Sequence, residues 1–236
     1  MSDLVHAMIT AFWLVAGFDA DVVEIVGLSL RVSLVAVGIA AAIGLPLGAA
    51  LAVLRFPGRG VLIVVTNALM GLPPVVVGLI VYLLLSRSGP FGVFGLLFTP
   101  TAMIIAQIVL VLPIIASLSY RITSDLWEEY SEQLASLGIG PTRAVTTVLW
   151  DGRFGLSTAV LAGFGRASAE VGAVMIVGGN IDHVTRVMTT AIAMETSRGD
   201  LALALGLGIV LIVISLVVNS ITLGIGAVVR PESALP

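Results

Sequence analysis

The chain has 236 residues, no cysteine, eleven basic residues that are all arginine, and a formal net charge of −3. Its residues are 58% hydrophobic and only 11% charged, with a mean hydropathy of +1.16, whereas soluble domains carry about 25% charged residues. This composition indicates a membrane protein, and it excludes disulfides, thiolate chemistry, the lysine of a P-loop ATPase and the basic surface that nucleic-acid binding needs.

The first predicted element is a short apolar run over residues 5–18, which acidic residues follow. A run of about 14 residues is too short to cross the hydrocarbon core comfortably. No basic residue precedes it, as a cleavable signal peptide would require, so we expect it to be retained. We assign residues 1–27 as an N-terminal interfacial segment, with a sixth, marginal helix as the alternative.

Five longer apolar stretches follow, each about as long as a membrane-spanning helix must be. They cover residues 28–54, 61–85, 101–120, 157–178 and 203–228. Glycine and proline recur inside them, and Gly44 and Gly48 have a spacing that is typical of helix packing. The sequence therefore predicts an all-α membrane protein of about five closely packed helices, with residues 28–229 as one membrane domain and residues 230–236 as a short tail.

The orientation is predicted from arginine in the short loops, because cytoplasmic loops carry an excess of basic residues. The segments after the first stretch, between the third and fourth, and after the fifth contain Arg55, Arg59, Arg121, Arg143, Arg153 and Arg230. In the opposite loop, 180–200, acidic residues balance the arginines. We therefore expect the N-terminus outside and the C-terminus in the cytoplasm.

The polar segment 121–153 lies between the third and fourth stretches and is predicted to be folded. Apolar residues recur at helical spacing in its first half and acidic residues occupy the other faces, which favours an amphipathic helix over 125–137. Gly138 and Gly140 would end this helix, and Thr142 could cap a second one that continues through Val148. Two helices joined by a glycine elbow result.

The fourth stretch contains two opposite charges, Arg166 and Glu170, which lie four residues apart and so share one face of a continuous helix. An unpaired charge in a bilayer costs about 2.5–3.5 kcal/mol, so we expect them to pair or to face a wet interior. They either attract an oxyanion in a translocation pathway or clamp the helix to its neighbours. Asn180 follows two glycines and is predicted first of all to form a turn.

The loop 180–200 holds mixed charges, which form either a docking surface or a solvated face. His183 lies in this loop and has no second histidine at metal-ligand spacing, so no metal site is predicted.

Two of these segments resemble a known family. Segment 121–153 is similar to the cytoplasmic EAA loop of ABC importer permeases: Glu132 and Gly138 match at the family spacing, while Gln133-Leu134 replace two alanines, Val148 replaces isoleucine and Trp150-Asp151 stand where Leu-Pro is usual. The fourth stretch resembles permeases of the molybdate, tungstate and sulfate group. The resemblance is closer to tungstate importer permeases through residues 97–102, 172–174, 178–180, 185–190 and 199–204.

The resemblance implies a type I ABC importer permease fold in a prokaryotic plasma membrane, with tungstate as the expected cargo. It implies that the elbow contacts a cytoplasmic ATPase, present in two copies, which binds ATP and magnesium; this chain itself would hold no cofactor. The coupling residues would be Glu132, Gln133, Ala135, Gly138, Pro141 and Val148. It also implies an extracytoplasmic substrate-binding protein, and Arg166, Glu170 and Asn180 are candidates for the pathway or gate.

Other functions remain open. One five-helix bundle encloses little space, so we expect a homodimer with the pathway between two copies. A partner-free channel or secondary transporter would usually show internal repeats or a pore-lining signature, and no repeat is seen. A membrane enzyme is disfavoured, because the chain offers no cysteine, no lysine, no histidine pair and no paired carboxylates within the spans for acid–base chemistry. Within the permease class, molybdate, sulfate, phosphate, thiamine or an amino acid are alternative cargoes.

Overall fold

The computed structural model describes residues 2–17 and 19–229, and in these residues the regular structure is helical throughout. Ten α-helices follow one another: α1 (Ser2–Ala16), α2 (Ala20–Val53), α3 (Arg59–Leu69), α4 (Pro74–Leu85), α5 (Pro100–Ser136), α6 (Pro141–Asp151), α7 (Arg153–Ser168), α8 (Gly172–Gly178), α9 (Met188–Arg198) and α10 (Leu201–Val229). A short 3-10 helix covers Gly92–Phe94. The all-α prediction is confirmed, and the predicted tail 230–236 with Arg230 lies outside the described residues.

The number of membrane spans depends on how bent helices are counted. In the described part of the chain, α2, α5 and α10 are each long and apolar enough to cross a bilayer. Two further pairs qualify only jointly: α3 with α4, bent by 104°, and α7 with α8, bent by 59°. Counting each pair as one span gives up to five, as the sequence predicts. Helix α1, at 15 residues, reaches only about 22 Å, less than the hydrocarbon thickness.

Helix α5 corrects the predicted boundary at residue 120. The expected membrane helix and the expected amphipathic helix are one continuous helix of 37 residues, about 55 Å long. No glycine or proline lies between Tyr120 and Ser136, so hydropathy changes there while the backbone has no reason to stop. Helix α2 is likewise longer than predicted and begins at Ala20.

The bends and the loop 180–200 also differ from the predictions. The stretch 61–85 is broken at Pro73-Pro74, where two consecutive residues lack the N–H that a helix needs. Pro46 and Pro113, in contrast, lie inside α2 and α5 without ending them. The loop 180–200 contains helix α9, which the mixed charges did not predict.

The chain divides into two compact units, each with its own core. Among the described residues, unit 1 comprises 2–17, 19–36, 73–107 and 167–217, and unit 2 comprises 37–72, 108–166 and 218–229. The core of unit 1 joins α2, α9 and α10 through Val22, Ile25, Met188, Ala191 and Leu207. The core of unit 2 joins α2, α5 and α6 through Ala52, Val53, Leu134, Ala144 and Val148.

Within unit 2, Gly44 and Gly48 on α2 allow close contact with α5. A Cβ atom on Gly48 would lie 2.5 Å from the Ala116 carbonyl oxygen and 2.5 Å from the Ser119 Cβ atom, both on α5. The Ser119 hydroxyl donates a hydrogen bond of 2.9 Å to the Leu45 carbonyl across the same contact. The packing role predicted for Gly44 and Gly48 is confirmed.

Candidate functional site

The elbow between α5 and α6 has the geometry of a Schellman motif. Gly138 adopts a left-handed backbone with φ of +69°. Its N–H donates to the Ala135 carbonyl at 3.0 Å, and the Ile139 N–H donates to the Leu134 carbonyl at 3.0 Å. These two bonds satisfy carbonyls in the last turn of α5, and glycine adopts the required left-handed backbone with the least strain. Helix α6 then begins at Pro141 after Gly140, with no side-chain cap, so the predicted cap by Thr142 is wrong.

The elbow is fixed to the end of α2. Leu134 and Val148 are buried together with Ala52 and Val53, the last residues of α2. The guanidinium of Arg59 donates to the Leu51 and Ala52 carbonyls and lies 5.9 Å from the centre of the Tyr120 ring on α5. Helices α2, α5 and α6 therefore form one packed body, so a force on the elbow reaches two long helices directly.

The predicted coupling residues divide between the surface and the core of this body. Five of them are exposed: Glu132, Gln133, Ala135, Gly138 and Pro141. Val148 is fully buried and acts only through packing. The structure adds one residue that sequence reasoning missed: Leu137 is 73% exposed at the tip of the elbow. The signal available in the sequence was a large apolar residue directly before the glycine of the elbow.

A second candidate site is the break between α7 and α8. Helix α7 ends at Ser168, so Arg166 and Glu170 do not share the face of one helix, which corrects the sequence prediction. Arg166 lies in the last turn of α7, and Glu170 lies just before α8, where its Oε1 accepts a hydrogen bond of 3.0 Å from the Ala173 N–H. Each charge thereby complements the dipole of the nearer helix end.

Two side chains satisfy the carbonyls that the break leaves free. The Gln107 Nε2 atom donates to the Ala167 carbonyl at 3.1 Å, and the Thr189 hydroxyl donates to the Glu170 carbonyl at 2.7 Å. Both side chains are buried, and Glu170 is buried with them. Such bonds are needed because a broken helix at membrane depth has no water to bind its backbone. A lone amide within an apolar stretch was a signal for Gln107; nothing in the sequence indicated Thr189.

A small polar cavity adjoins the break. Its volume is about 10 Å³, and its polar lining comes from Ser29, Ser33, Gln107, Ser168, Glu170 and Thr189. That volume is about one water molecule and excludes a tetrahedral oxyanion in this conformation. The break is thus closed and internally bonded here.

Asn180 is part of the loop that joins α8 to α9. Its φ is +48°, as predicted for a turn, and its side chain is buried. The Asn180 Oδ1 atom accepts a hydrogen bond of 2.8 Å from the Thr190 hydroxyl. Thr185 ties the same loop by donating to the Gly178 carbonyl at 2.6 Å and accepting from the Ile181 N–H at 2.9 Å. These contacts hold the loop, and a role in the pathway stays a prediction.

The charges of residues 182–198 form an ordered cluster. The Arg186 guanidinium lies 2.9 Å from the Asp182 carboxylate and 3.9 Å from the Glu195 carboxylate. Arg198 contacts Glu195 at 3.2 Å. Glu195 and Arg186 are largely buried, so these residues are not a fully solvated face. The cluster instead joins the loop to α9 within unit 1.

Replacing Thr189 with valine is expected to destabilise the helix break. The change keeps the side-chain shape but leaves the buried Glu170 carbonyl without its donor, at a cost of about 1–3 kcal/mol. We expect a lower Tm in detergent, with Thr196→Val as the matched control, because the Thr196 hydroxyl bonds only within its own helix at an exposed position. Equal Tm values for the two variants would show that the Thr189 bond does not hold the break.

His183 links the loop to α2 through a pH-dependent contact. Its Nδ1 atom lies 2.9 Å from the Glu24 carboxylate, and this hydrogen bond, with the nearby charge of Asp182, raises the pKa of His183 above the ordinary 6.5. A raised pKa means that the contact is at full strength below pH 6.5 and weakens as the pH rises through the folded-state value. The loop is therefore held to α2 most firmly at mildly acidic pH.

We expect Glu24→Gln to lower the pKa of His183 towards its ordinary value, measured by NMR titration of the ring in detergent. Asp21→Asn is the control, since Asp21 makes the weakest contribution that raises this pKa. A larger effect from Asp21→Asn than from Glu24→Gln would contradict the observed hydrogen bond.

The chain has clear relatives among known proteins. No protein-family model matches the chain. The chain is 43% identical over 211 residues to a tungstate uptake system permease protein of Peptoclostridium acidaminophilum, covering 89% of this chain and 92% of that protein. It is 42% identical over 204 residues to a probable anion ABC transporter permease protein of Haloferax volcanii, covering 84% and 88%. A molybdenum transport system permease protein of Azotobacter vinelandii is 29% identical over 161 residues, covering 64% and 70%.

Proposed function

The chain belongs to the family of ABC transporter permeases that includes the tungstate uptake permeases, and from this we propose that it is the membrane-spanning subunit of an ATP-driven tungstate importer. It is a multi-pass protein of the prokaryotic plasma membrane. Tungstate is favoured because the tungstate relative is 43% identical and the molybdenum relative 29%. Molybdate and sulfate are the alternative cargoes within the same function.

The partners follow from the importer class. Two copies of this chain would enclose the pathway, two ATPase subunits would bind ATP and magnesium on the cytoplasmic side, and a substrate-binding protein would deliver the anion outside. Hydrolysis would take place in the ATPase, since this chain has no lysine for a P-loop. The chain would then contribute no catalytic residue of its own.

The observation that carries the coupling mechanism in this proposal is the packing of the elbow on α2 and its continuity with α5. We place the elbow in the cytoplasm, where Leu137 and the exposed residues around it would contact the ATPase. Closure of the ATPase dimer on ATP would draw the two elbows together. Because α5 continues without a break from the elbow to Pro100, and α6 packs on the end of α2, that motion would turn the helices around the pathway.

The gate in this proposal is the break between α7 and α8. Gln107 and Thr189 donate hydrogen bonds to the Ala167 and Glu170 carbonyls at the break. If water replaced these donors, the two helix ends could adopt a second arrangement. Glu170 and Arg166 lie at the two helix ends and would define the charge that the passing dianion meets. Opening of the small cavity would then accompany the outward- or inward-facing state.

Leu137→Gln is expected to reduce the amount of ATPase subunit that co-purifies with a tagged permease by about tenfold, because burying an exposed Leu in an interface stabilises it by about 1.5–3 kcal/mol. The control is Val93→Gln, which changes an 89% exposed apolar residue outside the elbow. The elbow would not be the docking site if Leu137→Gln left the amount of co-purified ATPase subunit unchanged. The same would follow if Val93→Gln reduced that amount equally.

A further inference from the structure

Unit 2 contains an open cleft of about 500 Å³ that the importer mechanism does not use. It lies between α2, α6 and α7 and is lined by Ala41, Leu45, Leu149, Leu156 and Val160, together with Arg153, the first residue of α7. Along α7 the lining extends from Arg153 to Val160, about 10 Å. Small side chains on α2 leave room for an occupant.

The lining of this cleft is suited to hydrocarbon. Apart from Arg153 and Ser157, the residues that line it are apolar. A tungstate or molybdate dianion would lose its hydration there without receiving hydrogen bonds in return, which is unfavourable. A flexible acyl chain would lose only contact with water or with other lipid. The cleft is therefore not part of an anion pathway.

The part of the cleft at Arg153 has the features of a lipid headgroup site. Arg153 is exposed, and its guanidinium lies 5.1 Å from the centre of the Trp150 ring and 4.6 Å from the centre of the Phe154 ring. One of its N–H groups donates to the Trp150 carbonyl at 2.7 Å, which fixes the side chain in place. Trp150 is 69% exposed, as is common for tryptophan at a membrane interface.

We propose that this cleft binds one anionic phospholipid, with an acyl chain between α2 and α7 and the phosphate on Arg153. The guanidinium fork pairs well with phosphate, and the neighbouring aromatic rings suit the headgroup level. The proposal rests on the proposed function in one respect: the elbow side is cytoplasmic, where anionic lipids give the leaflet its negative surface potential. A bound lipid would join the ends of α2, α6 and α7 next to the elbow.

The test measures lipid retention by the purified permease alone. The delipidated chain is mixed with phosphatidylglycerol or with phosphatidylcholine of the same acyl length, and the retained lipid is counted by native mass spectrometry. We expect a preference for phosphatidylglycerol, which Arg153→Gln lowers about fivefold. Arg143→Gln, a change of an exposed arginine on α6, is expected to keep it. Ala42→Phe fills the cleft and is expected to abolish the retention of both lipids.

Equal retention of the two lipids by the wild-type chain, or a preference that Arg153→Gln leaves unchanged, would overturn the proposal. The absence of native cysteine allows a further control with a single Ala42→Cys substitution. Ready disulfide formation between two copies would assign the cleft to a second copy instead of lipid. The lipid-retention assay contains no ATPase subunit and no transported anion, so a negative result leaves the importer proposal intact. Conversely, a failure of the ATPase subunit to co-purify does not alter the lipid result.

Discussion

Replacing Gly138 with valine is expected to stop transport while leaving ATP hydrolysis and membrane insertion in place. The elbow requires φ of +69°, where an L-residue pays about 1–2 kcal/mol and a β-branched residue more. That strain would lower the equilibrium constant between the packed elbow and its displaced forms by about tenfold or more. The measurement is ATP-driven uptake in proteoliposomes beside ATPase activity of the same preparation.

Open space around Gly138 separates backbone strain from steric conflict. A Cβ atom there would meet no atom within 4 Å, so the effect arises from φ alone. Gly138→Asn is expected to retain most transport, because Asn tolerates the left-handed region. Gly140→Ala is the neighbouring control, with φ of −69° and equally open surroundings. Full coupling in Gly138→Val would argue against the elbow as the transmitting element.

Replacing Gly48 with valine is expected to cause a large loss of stability. Its Cβ atom would lie 2.5 Å from the Ala116 carbonyl oxygen and 2.6 Å from the Tyr120 nitrogen, and backbone atoms cannot move aside as a flexible side chain can. Overpacking of this kind costs about 1–3 kcal/mol or more. We expect a Tm in detergent that is lower by about 2–12 °C, or aggregation during purification.

The control for this prediction lies on the same helix. Gly38 on α2 has no atom within 4 Å of the position of a Cβ atom, and valine has a higher helix propensity than glycine. Gly38→Val should therefore leave the Tm unchanged or slightly higher. If both variants had the same Tm, the close contact between α2 and α5 would not be a determinant of stability.

The sequence predicts the helices and the family better than it predicts where helices break. Hydropathy locates a span, yet it says nothing about the backbone. It therefore predicts neither the continuation of α5 beyond Tyr120 nor the break at Glu170. That break has no proline or glycine inside it. It forms because the Glu170 carboxylate binds the Ala173 N–H and because Gln107 and Thr189 bind the freed carbonyls.

In the candidate sites too, residues defined by a local pattern are predicted from the sequence, and residues defined by long-range contacts are not. Gly138 was identified from the pattern alone, since a glycine after an amphipathic helix indicates a left-handed cap, and its φ agrees. Residues that matter through long-range contacts were beyond the pattern: Thr189 follows Glu170 by 19 residues, and Gln107 precedes Ala167 by 60. Only the folded chain shows which carbonyl each one binds.

The most direct test of the importer proposal is ATP-dependent uptake of tungstate. Proteoliposomes would contain the permease with its ATPase subunit, and tungstate would be supplied outside on the substrate-binding protein. We expect accumulation that needs ATP, is blocked by vanadate and exceeds that of molybdate or sulfate offered in the same way. Accumulation that proceeds without the ATPase subunit or without ATP would contradict the account and identify the chain as a channel or secondary transporter.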